Sequence, residues 1–425
     1  MAPEGSSLQP RGGEAGCRRA EPDVFPGRTS SATCSLCVIA KNEAHQIARC
    51  LKSAIPVVDQ VVVVDTGSAD DTVKIARELG AEVYETQWQE DFSLARNTSL
   101  EYATGDWVLF LDCDEELDAD TAPNLKKVIE DARYDGYWTK LINIFDNQPS
   151  TSLLVFRLFR NKPSFRFECP IHEQVLPSVI RNSSPERIGL ADLIIHHYGY
   201  ENNETVLREK IERNLRLLQK AREEFGDTGF INFYFGAEHQ RLEDHEKALA
   251  YYEASLAKSS LDESYVPAMV RAMIFCLVNL NLHQQGLELI EKYLRHYPDY
   301  TDLVYLKGFI YLELGMYSEA LGCLNRCVEM GPPPSRYFSL HGIADEKPRQ
   351  LARSLARSLI EHGRELFRQG APAQAFSVLD AAFVQLKKTP DEDLYTEILA
   401  AMFEMINSAT GSLPSGEALG TGSAF

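Results

Sequence analysis

The sequence predicts a two-part protein, in which an α/β domain built on a doubly wound, mostly parallel sheet precedes an all-α region of helical repeats. Between residues 34 and 112, short apolar strands alternate with helices, and strands without polar alternation are typical of sheets covered on both faces. From about Glu204 the β-branched runs stop and amphipathic helices follow. These two observations fix the predicted fold class.

The first half is predicted to consist of consecutive βαβ units. The predicted elements are, in chain order, a strand at 36–40, a helix at 43–53, a strand at 61–64, a helix at 73–79, a strand at 82–84, a helix at 92–103 and a strand at 107–111. Ligands of such sheets bind beyond the carboxyl ends of the strands. Polar residues that directly follow a strand are therefore the candidates for function.

The second half shows a 34-residue period, which is that of tetratricopeptide repeats. Pro298 precedes Pro332 by this interval, and Gly286 precedes Ala320 by the same interval. Such repeats either support the first domain or form a homodimer, or they provide a groove for an acceptor. The predicted domains are a disordered arm at 1–33, the α/β domain at 34–203, the helical region at 204–408 and a flexible tail at 409–425.

The charge balance excludes several classes of partner. The chain has 43 Lys plus Arg against 62 Asp plus Glu, a net charge of -19, which would repel nucleic acids and anionic lipid surfaces. No run approaches the ~20 apolar residues that span a bilayer, and no secretory h-region is visible near the N-terminus. We therefore expect a cytoplasmic protein without a membrane span and with free thiols.

An acidic run follows the predicted strand Trp107–Leu111: Asp112, Asp114, Glu115 and Glu116 come within five residues. Charge crowded at one strand end requires a cation nearby. Mg²⁺ or Mn²⁺ prefers oxygen ligands and keeps open positions for substrate phosphates. The run therefore predicts a divalent metal site, and the alternative is an acidic first turn of a helix.

Asp65 occupies the equivalent position after the strand at 61–64. Its carboxylate could accept a hydrogen bond from a nucleotide base, or it could cap the following helix. Because Ser68 or Asp70 could serve as the cap instead, we expect Asp65 to be left for the ligand.

Taken together, these motifs resemble family 2 glycosyltransferases of the GT-A fold. The residues that carry the resemblance are Val38-Ile-Ala-Lys-Asn-Glu43, Val64-Asp-Thr-Gly-Ser-Ala-Asp-Asp-Thr72, Trp88 with Asp91-Phe-Ser93, Ala95-Arg-Asn97 and Gly105 to Glu115. Ile171-His-Glu173 and His197-Tyr-Gly-Tyr200 before helical repeats resemble a bacterial branch more narrowly. That branch includes the peptide S-glycosyltransferases of glycosylated bacteriocins of the sublancin type.

The resemblance implies a UDP-sugar donor. The residues implied at the donor site are Val38, Ala40, Glu43, Asp65, Arg96, Asp112, Cys113 and Asp114. Asp65 would contact the uracil, and the backbone from Val38 to Ala40, with Glu43 nearby, would shape the nucleoside pocket. Arg96 would lie near the ribose or the diphosphate.

The resemblance also implies Mg²⁺ or Mn²⁺ as cofactor. Asp114 would ligate the metal directly, while Asp112 would meet the ribose or a metal-bound water. His197 is similar to the downstream His that completes the coordination in many GT-A enzymes, with the neighbouring His196 as a competing candidate.

Inverting transfer to an acceptor requires a base that faces the donor sugar. Glu173 is the first choice and His172 the second, although both could instead belong to a structural network in which Glu168 or Glu173 pairs with nearby arginines. The sequence departs from the branch at Cys169, where we expect a glycine.

The predicted function is the transfer of a hexose or N-acetylhexosamine from a UDP-sugar to an acceptor. The preferred acceptor is a Cys, Ser or Thr side chain of a peptide or protein, a choice that rests on the resemblance alone. The alternatives are transfer to a polysaccharide or glycolipid precursor, and a non-catalytic repeat scaffold with a relic domain.

Overall fold

The structure is a computed structural model that describes residues 31–199, 204–386 and 392–410. Almost all of the predicted arm at 1–33 and most of the predicted tail at 409–425 lie outside the described residues. No helix within these three ranges is both long and apolar enough to cross a membrane.

The strands of the described chain form one mixed sheet that contains the predicted parallel core. They are Cys34–Ala40 (β1), Gln60–Asp65 (β2), Glu82–Glu85 (β3), Trp107–Asp112 (β4), Glu115–Leu117 (β5), Gly136–Phe145 (β6), Gln148–Arg160 (β7), Ile188–His197 (β8) and Ser339–Leu340 (β9). Their order is β3-β2-β1-β4-β7-β6-β8-β5, with β9 paired to β7. The parallel part, β3-β2-β1-β4, confirms the predicted α/β class.

Helices cover this sheet, as the apolar strands predict. They are Ile47–Ala54 (α1), Thr72–Glu78 (α2), Phe92–Tyr102 (α3), Asn124–Ile129 (α4) and Leu176–Asn182 (α5). The central strands β1 and β4 are almost wholly buried, because one face packs against a cluster that includes Ile47 and Leu51, and the other against a cluster that includes Leu100. The core lies between β1, β4 and these helices.

The carboxyl end of β4 separates from the neighbouring strand β7, and this separation creates the space in which the candidate site lies. The two strands pair only from Leu109↔Leu158 to Trp107↔Arg160, although β4 continues to Asp112. The long hairpin of β6 and β7 then extends beyond β4. The side chain of Arg157, on β7, fills the opening.

The second half is largely helical, as predicted, although it also contains the short strand β9. Its helices are Glu204–Phe225 (α6), Gly229–Arg241 (α7), His245–Leu256 (α8), Val266–Asn279 (α9), His283–Leu294 (α10), Thr301–Glu313 (α11), Tyr317–Met330 (α12), Glu346–Arg368 (α13), Pro372–Leu386 (α14) and Glu392–Thr410 (α15). Consecutive helices pack in pairs, as in tetratricopeptide repeats. A side chain at Gly236 would place its Cβ 2.6 Å from the ring of Tyr252, so the close packing of α7 on α8 requires a glycine.

One strand of the helical region joins the sheet of the first domain. Strand β9 pairs with β7 through Leu340↔Thr151 and Ser339↔Ser152. The buried carboxylate of Asp302 on α11 accepts hydrogen bonds from the Ser339 hydroxyl (2.6 Å) and the Leu340 N–H (2.9 Å). The helical repeats are therefore attached to the hairpin that carries Arg157.

Candidate active site

Strand pairing brings the acidic turn and the predicted histidine together. Strand β5 follows the turn after β4 and pairs with the end of β8, so that Glu115 lies opposite His197. The pairing continues into the turn, where the Tyr198 N–H donates to the Asp114 carbonyl (2.9 Å). As a result, His197 Nε2 lies 3.3 Å from Asp114 Oδ2.

The imidazole of His197 is held in one orientation by Asn143 on β6. Its Nδ1 lies 2.7 Å from Asn143 Oδ1, and the amide nitrogen of Asn143 donates to the Thr151 hydroxyl (2.6 Å). With the Asn143 oxygen as acceptor, Nδ1 must carry a proton, so in the neutral ring Nε2 is a lone pair facing the Asp114 carboxylate. Two acceptors 3.3 Å apart are stable only with a proton or another cation between them. Without a metal, the nearby carboxylates raise the pKa of His197 despite its burial.

The residues around Asp114 and His197 fit a divalent cation with few protein ligands. A side chain at Gly199 would place its Cβ 2.5 Å from His197 Nε2 and 2.6 Å from Asp114 Oδ2, so the glycine leaves space beside both ligand atoms. Within the described ranges no group of three or more His, Cys, Asp or Glu side chains is arranged to hold a metal. Two protein ligands suit Mg²⁺ or Mn²⁺, which retain water and bind substrate phosphates.

His196 points to a different partner. Its Nε2 lies 3.0 Å from Asp118 Oδ2, because adjacent residues of a strand project to opposite faces. Of the two candidate histidines, His197 is therefore the one that lies beside Asp114.

Asp112, two residues before Asp114, has a different environment. Its carboxylate accepts hydrogen bonds from Arg96 on α3 and from Arg157 (3.0 Å), and Arg157 also pairs with the buried Glu115. Burial would raise the pKa of Asp112, but the two guanidinium groups lower it well below its usual range. Burial raises the pKa of Glu115 to about 7, although its ion pair with Arg157 acts in the opposite direction. The negative charges of Asp112 and Glu115 after β4 are therefore neutralised largely by arginines. Of the acidic run, Asp114 is the residue that is left as a candidate metal ligand.

Glu173, the first candidate base, pairs with Arg96, the same arginine that binds Asp112. Its carboxylate accepts a hydrogen bond from Arg96 Nε, while the Arg96 Nη2 donates to Asp112. The alternative was a structural network in which Glu168 and Glu173 pair with Arg157, Arg160 or Arg166; both carboxylates do pair with arginines, but with Arg181 and Arg96. Arg96 therefore connects Glu173 to Asp112 at the start of the acidic turn.

His172, the second candidate base, is packed against the helical region. Its ring stacks on Tyr234 of α7 with centroids 3.4 Å apart. Burial lowers its pKa to about 3, so the ring is neutral at pH 7 and a weak base.

Cys169 and His172 both adopt left-handed backbone conformations, with φ of 79° and 53°. A non-glycine residue in this region costs roughly 1–2 kcal/mol, which explains why a glycine is expected at position 169. The reciprocal backbone hydrogen bonds between Glu168 and Gln174 (both 3.1 Å) close the loop that contains them. This segment, 168–174, is called the base loop below.

The predicted donor residues lie around the carboxyl ends of β1, β2 and β4. Val38 is a core side chain in the middle of β1, and the carbonyl of Ala40, the last residue of this strand, accepts the Thr66 N–H (2.9 Å). Burial raises the pKa of Glu43, and the charge of Asp114 acts in the same direction. Cys113 is buried and its thiol lies 3.3 Å from the Ile39 carbonyl.

Asp65 is not left free in the way that the sequence suggested. Its carboxylate accepts the N–H groups of Gly67 and Ser68 (both 2.9 Å) and the Ser68 hydroxyl, while Asp70 accepts the Thr72 N–H at the start of α2. The local turn therefore uses much of the acceptor capacity of Asp65. A role in binding uracil stays a prediction.

Arg157, Asn143 and Tyr234 contribute to the site but are not among the residues that the sequence predicts there. A periodic pattern shows which face of an element is apolar, but these residues enter the site through the parting of β4 and β7, the β6–β8 pairing and the docking of α7. None of these contacts has a local signal.

The family comparison agrees with this geometry. Residues 35–176 match the model of the glycosyl transferase family 2. This range begins in β1 and ends at the start of α5, so it contains the acidic turn and the base loop.

Among curated relatives, the chain is 38% identical over 192 residues to a TPR repeat-containing protein of Synechococcus elongatus, which covers 44% of this chain and 47% of the relative. The chain therefore spans about half the length of that relative. It is 26% identical over 336 residues to the SPbeta prophage-derived glycosyltransferase SunS of Bacillus subtilis, with 76% of each chain covered.

Solved structures that match this chain in the comparison include Staphylococcus aureus TarS 1-349 in complex with UDP-GlcNAc, at 16% identity and a TM-score of 0.37, covering 67% of this chain and 92% of that one. Another is the glucosyl-3-phosphoglycerate synthase of Mycobacterium tuberculosis with Mn²⁺ and UDP-glucose, at 19% identity and a TM-score of 0.35, covering 45% and 79%. The family match and the observed elements lead to one conclusion: residues 35–176 form a family 2 glycosyltransferase domain on a mixed α/β sheet, and a largely helical region with tetratricopeptide-like packing follows it.

Proposed function

We propose that the protein transfers a hexose or N-acetylhexosamine from a UDP-sugar to a peptide or protein side chain, with Mg²⁺ or Mn²⁺ at Asp114 and His197. The observation that carries the proposal is the contact of these two side chains, with His197 oriented by Asn143 and the space beside both kept open at Gly199. A cation bound there would neutralise charge on the diphosphate as it leaves.

The arginine network would position the donor and the base. The two positive charges of Arg96 and Arg157 are already paired with the carboxyl groups of Asp112, Glu115 and Glu173. Since the arginines are already paired, they alone do not offset an added diphosphate, and a divalent cation at Asp114 supplies the missing charge. Asp112, fixed between two guanidinium groups, is rigid enough to hold a ribose hydroxyl.

Glu173 is proposed as the base that accepts the proton of the acceptor. The hydrogen bond from Arg96 fixes the orientation of the Glu173 carboxylate relative to Asp112 and the proposed donor site. Arg96 thus has the role of a partner that orients the base. For a Cys acceptor the thiol is already acidic, so the requirement for Glu173 is weaker than for Ser or Thr.

A peptide acceptor is preferred because the base loop packs against α6 and α7 of the repeat region, and helical repeats offer extended binding surfaces. The relation to the glycosyltransferase SunS over 76% of the chain is in keeping with a transferase fused to helical repeats.

The test is to incubate purified protein with a panel of UDP-sugars and Mn²⁺, and to measure UDP release with and without peptides that contain one Cys, Ser or Thr. We expect one donor to be hydrolysed slowly and faster with peptide, with loss of both in EDTA. If no UDP-sugar binds or turns over with either metal, the non-catalytic scaffold is the better description.

A further inference from the structure

Strand β9 belongs to the helical region in the sequence but lies on the β6–β7 hairpin of the first domain. It pairs with β7 at Thr151 and Ser152, and the His341 N–H donates to the Ser150 carbonyl (2.7 Å). Because β6 pairs along the other edge of β7, β9 lies on the edge that β4 occupies farther along the strand. The part of the hairpin that β4 no longer reaches is therefore held by β9.

The side chain that holds β9 on the repeats is Asp302 of α11. Its carboxylate is fully buried, with one oxygen accepting the Ser339 hydroxyl (2.6 Å) and the other accepting the Leu340 N–H (2.9 Å). Arg271 of α9 supplies a counter-charge 3.6 Å away. A buried carboxylate is costly when it loses its partners, so Asp302 fixes the position of β9 relative to the repeats.

The residue of β7 that pairs with β9 also holds the partner of the candidate metal ligand. Leu340 and Asn143 lie opposite Thr151 on its two sides in the sheet. The Thr151 hydroxyl accepts a hydrogen bond from the Asn143 amide nitrogen (2.6 Å), and the oxygen of the same amide lies 2.7 Å from His197 Nδ1. A continuous series of contacts therefore joins Asp302 to the imidazole.

The Asn143 side chain depends on this support more than its backbone does. The pairing of β6 with β8 fixes the backbone of Asn143 opposite His197, but it does not fix the rotation of the side-chain amide. The residues of β7 from Thr151 to Val155 are only half-buried, so packing holds this part of the hairpin less firmly than the core. Displacement of Thr151 would let the amide turn away from Nδ1.

We propose that Asp302 is a positioning residue for the metal site and acts on His197 through β9, Thr151 and Asn143. The inference rests on the proposed function, because it takes His197 as a ligand of the cation. The repeat region then contributes to metal affinity without providing a ligand. An attachment of the two regions could be made elsewhere on the first domain, but here it is made beside the residue that orients the imidazole.

The probe is Mn²⁺ alone, titrated into metal-free protein without UDP and followed by the electron paramagnetic resonance signal of the free ion. We expect Asp302→Ala to weaken Mn²⁺ binding about tenfold, the lower end of the range for partners that orient a ligand. Ser339→Ala, which removes one of the two hydrogen bonds to Asp302, should have a smaller effect. Asp302→Asn should restore most of the affinity, because its amide can accept from the Leu340 N–H and donate to Ser339.

The matched control is Ser255→Ala on α8. Ser255 is also a buried serine of the helical region, and its hydroxyl donates to the Gly229 carbonyl (2.7 Å), away from the hairpin. Its Mn²⁺ affinity should equal that of the wild type, although it loses a buried hydrogen bond as Ser339→Ala does.

The route is tested by adding Asn143→Leu to each variant. Because Asn143→Leu already removes the contact with His197, neither Asp302→Ala nor Ser339→Ala should weaken Mn²⁺ binding further in its presence. The Ser339→Ala pair gives the same comparison if Asp302→Ala does not fold. Hydrogen exchange of residues 143–152 in the same metal-free proteins reports separately whether the hairpin has loosened.

Faster exchange in the hairpin with unchanged Mn²⁺ affinity would mean that β9 is only an attachment, and it would overturn the inference. A full further loss of affinity on the Asn143→Leu background would overturn it as well. If Mn²⁺ binds the wild type and is lost in Asp114→Asn but not in Asp302→Ala or Ser339→Ala, the proposed function stands and this inference fails alone. Absence of Mn²⁺ binding in wild-type protein would overturn both.

Discussion

Asp112 and Asp114 are two residues apart but occupy contrasting surroundings. Asp112 lies between the guanidinium groups of Arg96 and Arg157, whereas Asp114 faces the imidazole of His197. On the first side the protein supplies its own counter-charges. On the second side the Asp114 carboxylate and the His197 imidazole form the pair that we propose to hold a metal. An acidic run in a sequence is therefore not sufficient evidence of a metal site, since the partners of each carboxylate decide its role.

The largest expected effect is on the arginine side. Arg157→Ala leaves the buried Glu115 and Asp112 without their shared counter-charge, and removing one partner of a buried ion pair costs about 3–5 kcal/mol. We expect this loss in the free energy of unfolding, measured by urea denaturation. Arg157→Ala combined with Glu115→Gln should recover part of the loss, because an uncharged amide is easier to bury.

The exposed pair of Arg133 with Asp131 is the control. Arg133→Ala should leave the urea midpoint unchanged, as is usual for ion pairs at the surface. A similar midpoint for Arg157→Ala and Arg133→Ala would mean that the Arg157 network contributes nothing to stability.

A substitution at Asp114, which faces His197, should change metal binding rather than the free energy of unfolding. Asp114→Asn removes a charged ligand, and we expect Mn²⁺ affinity and turnover to fall at least about 100-fold. Asp112→Asn should reduce the free energy of unfolding but leave Mn²⁺ affinity close to that of the wild type. Calorimetric titration with Mn²⁺ in the absence of UDP compares the two variants, and equal Mn²⁺ affinities would show that Asp112 and Asp114 do not differ in metal binding.

A smaller effect is expected from the residue that orients His197. Asn143→Leu removes the acceptor of the Nδ1 proton, and loss of such a partner lowers metal affinity by about 10- to 100-fold. Thr151→Val, which only releases the Asn143 amide, should have a lesser effect in the same titration. If Thr151→Val is the more damaging change, the orientation of His197 is not set by Asn143.

The smallest effect concerns a carboxylate that is paired with cations at the other end of β4. Burial would raise the pKa of Asp135, but hydrogen bonds from Arg187, Ser183 and Lys162 outweigh it and hold the pKa below its ordinary value of 3.8. Because the folded-state pKa is lowered, its stabilisation is present above pH 3.8 and is lost as the pH falls further.

Asp135→Asn should therefore be less stable than the wild type at pH 7, and the difference should shrink below about pH 4, as urea midpoints at pH 7, 5 and 3 would show. Its Mn²⁺ affinity should be unchanged, because cation-paired carboxylates alone do not make a metal site. If the difference in urea midpoint between Asp135→Asn and the wild type stays constant across this pH range, the ionisation of Asp135 is not its cause.

Much of the parallel half of the fold could be predicted, because β1, β2 and β4 are largely continuous apolar runs, and two of them, β2 and β4, end at Asp. The antiparallel half could not: the hairpin of β6 and β7 mixes polar and apolar residues, and its pairing is set by contacts across the sheet. Among the candidate site residues, Asp114 and His197 are in contact as expected. The partner of Glu173 was not predicted, because Arg96 lies 77 residues earlier in the chain.

The sequence by itself determined the fold class, the acidic turn after β4, the histidine pair before the repeats and the period of the helices, because each is a local pattern of polarity, spacing or turn chemistry. Only the tertiary structure decided which histidine faces Asp114, which carboxylates are neutralised by arginines, and that α7 packs against the base loop. These outcomes depend on strand register and on side chains from distant segments sharing one buried space, where charge must be balanced by whichever groups the fold brings together.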